Sequence, residues 1–502
     1  MPEPGRSLST TVAVGTIWTI GLRVVDRTIG LISTVLLARL LMPQDFGLVA
    51  MAMAIVALLE ALTTLGVESS LISHREPTKA HYDTAWTINF AVGTVTAAVL
   101  LLLAAPAAQF YDEPRILPVV CVVATFPLLA GLTNIGVVDF RRNLQFQRDF
   151  MIGALNKVVA FAATVPLAFL LRNYWALLAG MLVGRIAGLV QSYVMHPYRP
   201  RFSIAHLREQ IQFSQWMLLG GLLVFLRTRL ADFVLGKQLG AGALGLFNMG
   251  REIGTLPTSE IVAPINRAIF PGYAKIADDR VRLADGFFRV LGIIALVAIP
   301  AGAGLGVLSD LFVSVVLGAR WLESAPIVTI ISFFGVTMAL QTNTGAVFMA
   351  LRQPKLQALV HGCTVAALLP LLVVWSRHDG IRGAALAFAV SGIGSLLASY
   401  ALAKQRLGVP YARFVAVLWR PVVGSIGMLA ILRLANASTA PWFGSTAAQG
   451  LAKLIALVTV GAIVYLLLVA ACWLATGRSK GAETELMDIV LPAVERFRAR
   501  SR

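Results

Sequence analysis

Arg23, Asp26 and Arg27 stand inside an apolar stretch that runs from Val12 to Leu37. A guanidinium offers paired, planar donors to a phosphate or carboxylate. At the centre of a bilayer, however, each such charge costs roughly 2.5–3.5 kcal/mol on insertion scales. The i, i+3, i+4 spacing places all three on one helical face. That face is expected to look into a protein interior or a wet cavity, not into lipid. The same conflict recurs at Glu60, Arg185, Arg227, Arg229, Asp232, Arg251, Glu252 and Glu260, each within another apolar segment. If every one met lipid, the penalty would be on the order of 30 kcal/mol. The pattern implies a charged, water-accessible cavity inside a membrane, and chemistry done by fixed charges rather than by covalent catalysis.

The elements that must hold these charges follow from composition. The chain has 502 residues, 58% of them hydrophobic and 13% charged, with mean hydropathy +0.79. Soluble domains carry about 25% charged residues, so the chain reads as an all-α polytopic membrane protein. The net charge of +17 is assigned to loop Lys and Arg on the cytoplasmic side, not to a nucleic-acid partner. Cys121, Cys363 and Cys472 lie far apart in apolar segments and form neither a metal motif nor a disulfide framework. The first apolar stretch is too long for a cleavable signal.

Apolar stretches between charged or Pro/Gly-rich breaks give about fourteen spans. They lie near 12–37, 46–72, 83–108, 115–137, 150–171, 174–195, 213–236, 244–270, 287–317, 324–350, 356–376, 382–403, 415–434 and 450–475. With both termini cytoplasmic, the main basic clusters all fall inside. These are Arg141/Arg142/Arg148, Arg199/Arg201/Arg208, Lys275/Arg280/Arg282, Lys404/Arg406/Arg413/Arg420 and the tail from Arg478 to Arg502. The tail after Gly477 reads as a short amphipathic cytoplasmic helix.

The first and seventh spans also align with one another. Trp18 pairs with Trp216, Arg39 with Lys237, Leu41 with Leu239, Gly47 with Gly245, Leu48 with Leu246 and Met51 with Met249. An even number of spans separates the copies, so they enter the membrane in the same sense. Parallel repeats of this kind are a transporter architecture.

The turn LARLLMPQDFGLVAMA resembles the first extracytoplasmic turn of Wzx-type polysaccharide flippases, in the multidrug/oligosaccharidyl-lipid/polysaccharide exporter superfamily. LPTSEIVAPINRAIFPGYAKIADD (256–279), VLGARWLESAPIV (316–328) and DFRRNLQFQRDF (139–150) are similar to that family too, chiefly to its colanic-acid-exporter-like branch. The resemblance runs to about residue 405. It implies two six-helix bundles related by a pseudo-twofold axis normal to the membrane, plus two C-terminal helices. On this chain that gives bundles at 1–195 and 213–404, a cytoplasmic linker at 196–212, the two added helices at 405–476 and a tail at 477–502. It further implies a bacterial inner membrane location and an undecaprenyl-diphosphate-linked oligosaccharide as substrate, with a polysaccharide polymerase as partner.

On such a substrate the charges divide into roles. Arg23, Arg27, Arg185, Arg227 and Arg229 are the candidate contacts for the pyrophosphate. The alternative for Arg23 and Arg27 is self-neutralisation with Asp26. Arg229 and Asp232, at i and i+3, are placed to pair. Asp26, Glu60, Asp232 and Glu260 either balance the arginines or carry a coupling proton or sodium ion. Arg251 and Glu252 are candidates for an outer gate. Arg141, Arg142 and Arg148 serve topology and membrane-lipid headgroups. Trp18 and Trp216 either stack on sugars or pack, and the Gly-rich run 299–308 either flexes or lets helices approach closely. No catalytic set, metal cluster or nucleotide loop is expected. The rivals are a drug/cation antiporter of the same superfamily, which should be richer in buried acids, and a membrane polysaccharide polymerase or ligase, which needs a larger external loop.

The orientation is testable with single cysteines and an impermeant thiol reagent on whole cells. Cysteines placed in 139–150 or 271–286 should be shielded, and those placed in 109–113 or 437–445 should react; the reverse pattern would overturn it.

Overall fold

The computed structural model describes residues 21, 25, 27–63, 66–74, 76–212, 215–438 and 447–477. The proposed tail helix, Trp18, Arg23 and Asp26 lie outside the described residues. Every regular element among those described is helical. Lipid leaves no other choice for a chain without a closed barrel, since backbone N–H and C=O groups must be satisfied within the segment. Among the described residues, ten helices are long and apolar enough to cross a membrane, eleven if the bent pair Ile116–Leu132 and Ile135–Arg142 is one span. The chain is a multi-pass membrane protein.

The chain divides into two compact units, Met1–Gly245 and Leu246–Arg502. The first holds α1 (27–40), α2 (Pro43–Thr63), α3 (Val67–Ser73), α4 (Lys79–Tyr111), α5 (Ile116–Val123), α6 (Thr125–Leu132), α7 (Val138–Arg142), α8 (Phe146–Leu171), α9 (Tyr174–Met195) and α10 (Leu207–Gln212). It also holds the first arm of α11 (Gln215–Lys275), which breaks at Gly240 (φ 80, ψ 179). That backbone lies in the region open to glycine, so the long element is two helices joined by one residue. The second unit holds the rest of α11 from Leu246, then α12 (Arg280–Val307), α13 (Ser309–Phe312), α14 (Ala325–Ala350), α15 (Pro354–Leu407), α16 (Tyr411–Ser438) and α17 (Ala447–Ala475). α15 is likewise two arms, broken at Gly380 (φ 58). Taken arm by arm, with α5 and α6 as one bent span, the described helices fall along the expected spans, except that the expected 46–72 span is the two helices α2 and α3 and most of the expected 12–37 span lies outside the described residues.

The seventh span, expected to open the second bundle, packs within the first unit. Gly236 lets Tyr111 and Met51 approach, and a Cβ there would lie 2.7 Å from Tyr111 Cε1. A close backbone approach joins the two copies of the sequence repeat. A Cβ at Gly47 would lie 1.7 Å from the Ala241 carbonyl oxygen, and one at Gly245 would lie 1.9 Å from that of Pro43. Gly47 pairs with Gly245 in the repeat, and Pro43 with Ala241, so each copy makes the contact the other makes.

In the second unit, Phe287, Phe288, Leu291, Tyr400 and Phe414 form a core that joins α12, α15 and α16. Polar side chains cross-link the helices inside it. Gln341 Nε2 donates to Ser395 Oγ (2.6 Å) and Ser399 Oγ (2.8 Å), joining α14 to α15. Asn343 Nδ2 donates to the Phe287 carbonyl (2.9 Å), and Asn343 Oδ1 accepts from the Tyr273 hydroxyl (2.8 Å). With apolar lipid outside, such bonds and close packing replace the hydrophobic drive between helices. α17 is tied to α12 by Tyr465, whose hydroxyl donates to the Leu296 carbonyl at 2.7 Å.

Gly47→Ala and Gly245→Ala should each destabilise the protein by about 1–3 kcal/mol or more, because a methyl must displace backbone. Gly242→Ala, with nothing within 4 Å, should be neutral. Thermal unfolding of the detergent-solubilised protein, read by size-exclusion chromatography, would separate the two cases.

Candidate functional site

The first arm of α11 puts Arg229 and Asp232 one turn apart on one face, with Arg229 Nη1 3.3 Å from Asp232 Oδ2. The pair read from the spacing is present. Its partners are unequal, since the Asp232 side chain is 0% exposed and that of Arg229 is 42% exposed. Tyr111, buried at the end of α4, and Phe233 stack nearby with ring centroids 6.3 Å apart. Arg229 therefore connects a sealed carboxylate to the accessible side of its helix. Long arginine stems allow this, because the methylenes lie along apolar surface while the head reaches polar ground.

The other candidates are placed separately. Arg27 is half-buried on α1. The side chain of Arg227 lies outside the described residues. Arg185, midway along α9, is exposed, with its guanidinium 5.6 Å above the buried Phe126 ring of α6. A cation over an aromatic face recovers part of its lost hydration. Glu60, expected near mid-span, lies in the last turn of α2 and is exposed. The reason is that the helix ends at Thr63 and α3 restarts after Gly66, whose φ is 62. On the second arm of α11, Glu260 is half-buried and Glu252 exposed. Arg251 Nη2 donates to Asn248 Oδ1 at 3.0 Å, and its guanidinium stands 5.8 Å over the Phe247 ring.

Two polar centres in the first unit were not anticipated from sequence. Asp45, 6% exposed, accepts from the Met42 N–H (2.9 Å) and the Tyr174 N–H (3.0 Å). It thus fastens the start of α2 to the start of α9 and satisfies one orphan donor at each. The second centre joins the 196–206 segment and α10 to the start of α4. Asp83 accepts from the Tyr198 hydroxyl (2.5 Å) and the Arg201 N–H (3.0 Å). Gln210 Nε2 donates to the His81 carbonyl at 3.0 Å. The His81 ring stacks on His206 with centroids 3.6 Å apart, and His74 lies 4.6 Å from it on the other side. Asp139 accepts from Tyr82 and lies 3.4 Å from His196 Nε2. Burial pushes the His196 imidazole below its ordinary value while Asp139 opposes the shift; burial and then Asp83 push the Tyr198 phenol well up. Four of the six histidines gather here, a clustering visible only once distant segments meet.

Among the described residues no group of His, Cys, Asp and Glu could hold a metal ion. What the geometry offers is fixed charge on apolar helices. A family model described as polysaccharide biosynthesis protein matches residues 36–326, more than half of the chain. The chain belongs to that family. It is 25% identical over 428 residues to the lipopolysaccharide biosynthesis protein WzxC of Escherichia coli (strain K12), covering 84% of this chain and 85% of the relative. It is 21% identical to the succinoglycan biosynthesis transport protein ExoT of Rhizobium meliloti (strain 1021), over 86% and 87% of the two chains. Its fold is that of the lipid II flippase MurJ in an inward closed conformation, with TM-score 0.72, 14% identity, and 92% of this chain and 99% of the other covered.

The unequal burial of the Arg229–Asp232 pair sets an order of effects. Arg229→Ala takes a counter-charge from a sealed carboxylate and should lower thermal stability most. Asp232→Ala leaves an arginine that can reach polar surroundings and should cost less. The double variant should lie above Arg229→Ala, because the buried charge itself is gone. Equal losses in both single variants, measured by thermal unfolding, would refute this order.

Proposed function

We propose that this protein flips undecaprenyl-diphosphate-linked polysaccharide repeat units from the cytoplasmic to the periplasmic leaflet of a bacterial inner membrane. The reading is carried by one observation: relatives that span most of this chain, and of their own length, are named for polysaccharide biosynthesis, one of them as a transport protein. The fold shared with a lipid II flippase supports it. The work required is transport rather than bond-making.

The substrate's pyrophosphate is the costly part to move, since a bare anion in hydrocarbon loses its hydration. Guanidinium groups set in apolar helices supply paired donors in place of water. Arg27 and Arg229 are half-buried and can hold such a group without losing their own solvation entirely. Alternating access then moves the charge while the lipid tail stays in the membrane. Arg23, Arg185 and Arg227 extend the same cationic path. Asp232 and Glu260, with Asp26 and Glu60, balance it or carry a coupling proton or sodium ion. Arg251 and Glu252 act as an outer gate, and a polysaccharide polymerase takes up the exported unit. The excess of arginines over acids in this set favours an anionic substrate over the cationic drugs of an antiporter.

Arg23→Ala and Arg27→Ala should insert and fold normally yet lose export, with lipid-linked repeat units accumulating on the cytoplasmic leaflet. Lysine at either position should restore only part of the activity, because an ammonium lacks the planar fork. Export at the wild-type rate in both alanine variants would refute the role given to these residues.

A further inference from the structure

An open groove of about 560 Å³ runs along the outer side of the first unit, lined by Leu132, Leu189, Val190, Tyr193, Val194 and Arg199. Its volume lies in the range of small-molecule sites. The wall is the exposed apolar stripe of α9, where Val190 is 56% and Val194 79% exposed. These residues occupy the final turns of a candidate membrane span that ends at Met195. Arg199 follows just beyond the end of that span, where a span's flanking residues meet lipid headgroups.

The arginine is held in place. Its Nη1 donates to the carbonyls of His196 and Tyr198, both at 2.9 Å, and its guanidinium stands 5.7 Å over the Tyr193 ring. Tyr193 is itself fixed, since its hydroxyl donates to the Leu132 carbonyl at 2.9 Å. The remaining Arg199 donors, Nε and Nη2, make no hydrogen bond to the described residues. A preorganised cation with unused donors thus caps an apolar trough at the end of a span.

We propose that this groove is a binding site for an anionic phospholipid, with the phosphate on Arg199 and an acyl chain along Val190 and Val194. Basic pockets between transmembrane helices bind acidic lipid headgroups in this way, and the aromatic Tyr193 sits where interfacial tyrosines do. The charge decides the occupant: among the described residues Arg199 is the one charged residue lining the groove, and a zwitterionic lipid would bring its own ammonium to that fixed cation. The site is separate from the charges assigned to transport.

Native mass spectrometry of the detergent-purified protein, titrated with phosphatidylglycerol or phosphatidylethanolamine, tests this. The wild type should retain phosphatidylglycerol at least ~5-fold better than phosphatidylethanolamine at one site. Arg199→Gln should abolish that preference. Val190→Trp, on an exposed face where it fills the trough without touching the core, should lower retention of phosphatidylglycerol by a similar factor. Unchanged retention in either variant would overturn the proposal. So would displacement of phosphatidylglycerol by an equimolar polyprenyl diphosphate, which would make the groove part of the substrate path instead.

Discussion

A charged side chain in a hydrocarbon layer must be matched by another polar group, by an aromatic face or by water, and that requirement organises both units. Asp232 is matched by Arg229, which reaches outward from a sealed position. Arg185 leans on Phe126, and Arg251 on Phe247 and Asn248. The neutral polar groups follow the same rule: Gln341 finds Ser395 and Ser399, and Asn343 finds Tyr273 and the Phe287 carbonyl, across helices. Each match fixes a helix rotation as well as an energy, because a charge facing lipid costs several times what a slightly poorer apolar contact would.

Once rotations are set, close approach follows from small residues. The contact of Gly47 with Ala241 and of Gly245 with Pro43 uses backbone on both sides, so a larger residue at either glycine would break it. Its reciprocity ties the sequence repeat to a physical cause. A duplicated segment that buries its glycine against the partner's equivalent turn satisfies both copies with one geometry. Asp45, two residues before Gly47, caps the same helix and binds the Tyr174 N–H, so the glycine is presented by a helix start already anchored to α9.

Much of this was legible in the sequence, for reasons of period and length. Spans of about twenty apolar residues are unambiguous, and the Arg229–Asp232 pair follows from i, i+3 spacing alone. The repeat alignment picked out Gly47 and Gly245 without revealing that they touch. Glu60 was misjudged because a broken helix and a continuous one look alike in hydropathy, and only the left-handed Gly66 separates them. Asp45, Asp83 and Asp139 were missed because their partners are remote: Asp83 meets Tyr198 and Asp45 meets Tyr174, and pairings at such separation leave no local pattern. The division of the chain after Gly245 was hidden for the same reason, since the packing of Gly236 on Tyr111 has no signature in either segment.

α4 explains how these remote contacts act together. At 33 residues it is about 50 Å long, enough to run from one face of a bilayer to the other. Its first turns hold the 196–206 segment and α10 through Asp83, Thr87 and the His81 carbonyl. Its last residue, Tyr111, packs against Gly236 of α11. The chain that leaves α9 is thus fixed to one end of α4, and the helix it becomes is fixed to the other. Between those two attachments lies the arm that carries Arg229 and Asp232. Both attachments constrain that arm, so the segment that reads as a linker helps to position the sealed Asp232 carboxylate and its arginine.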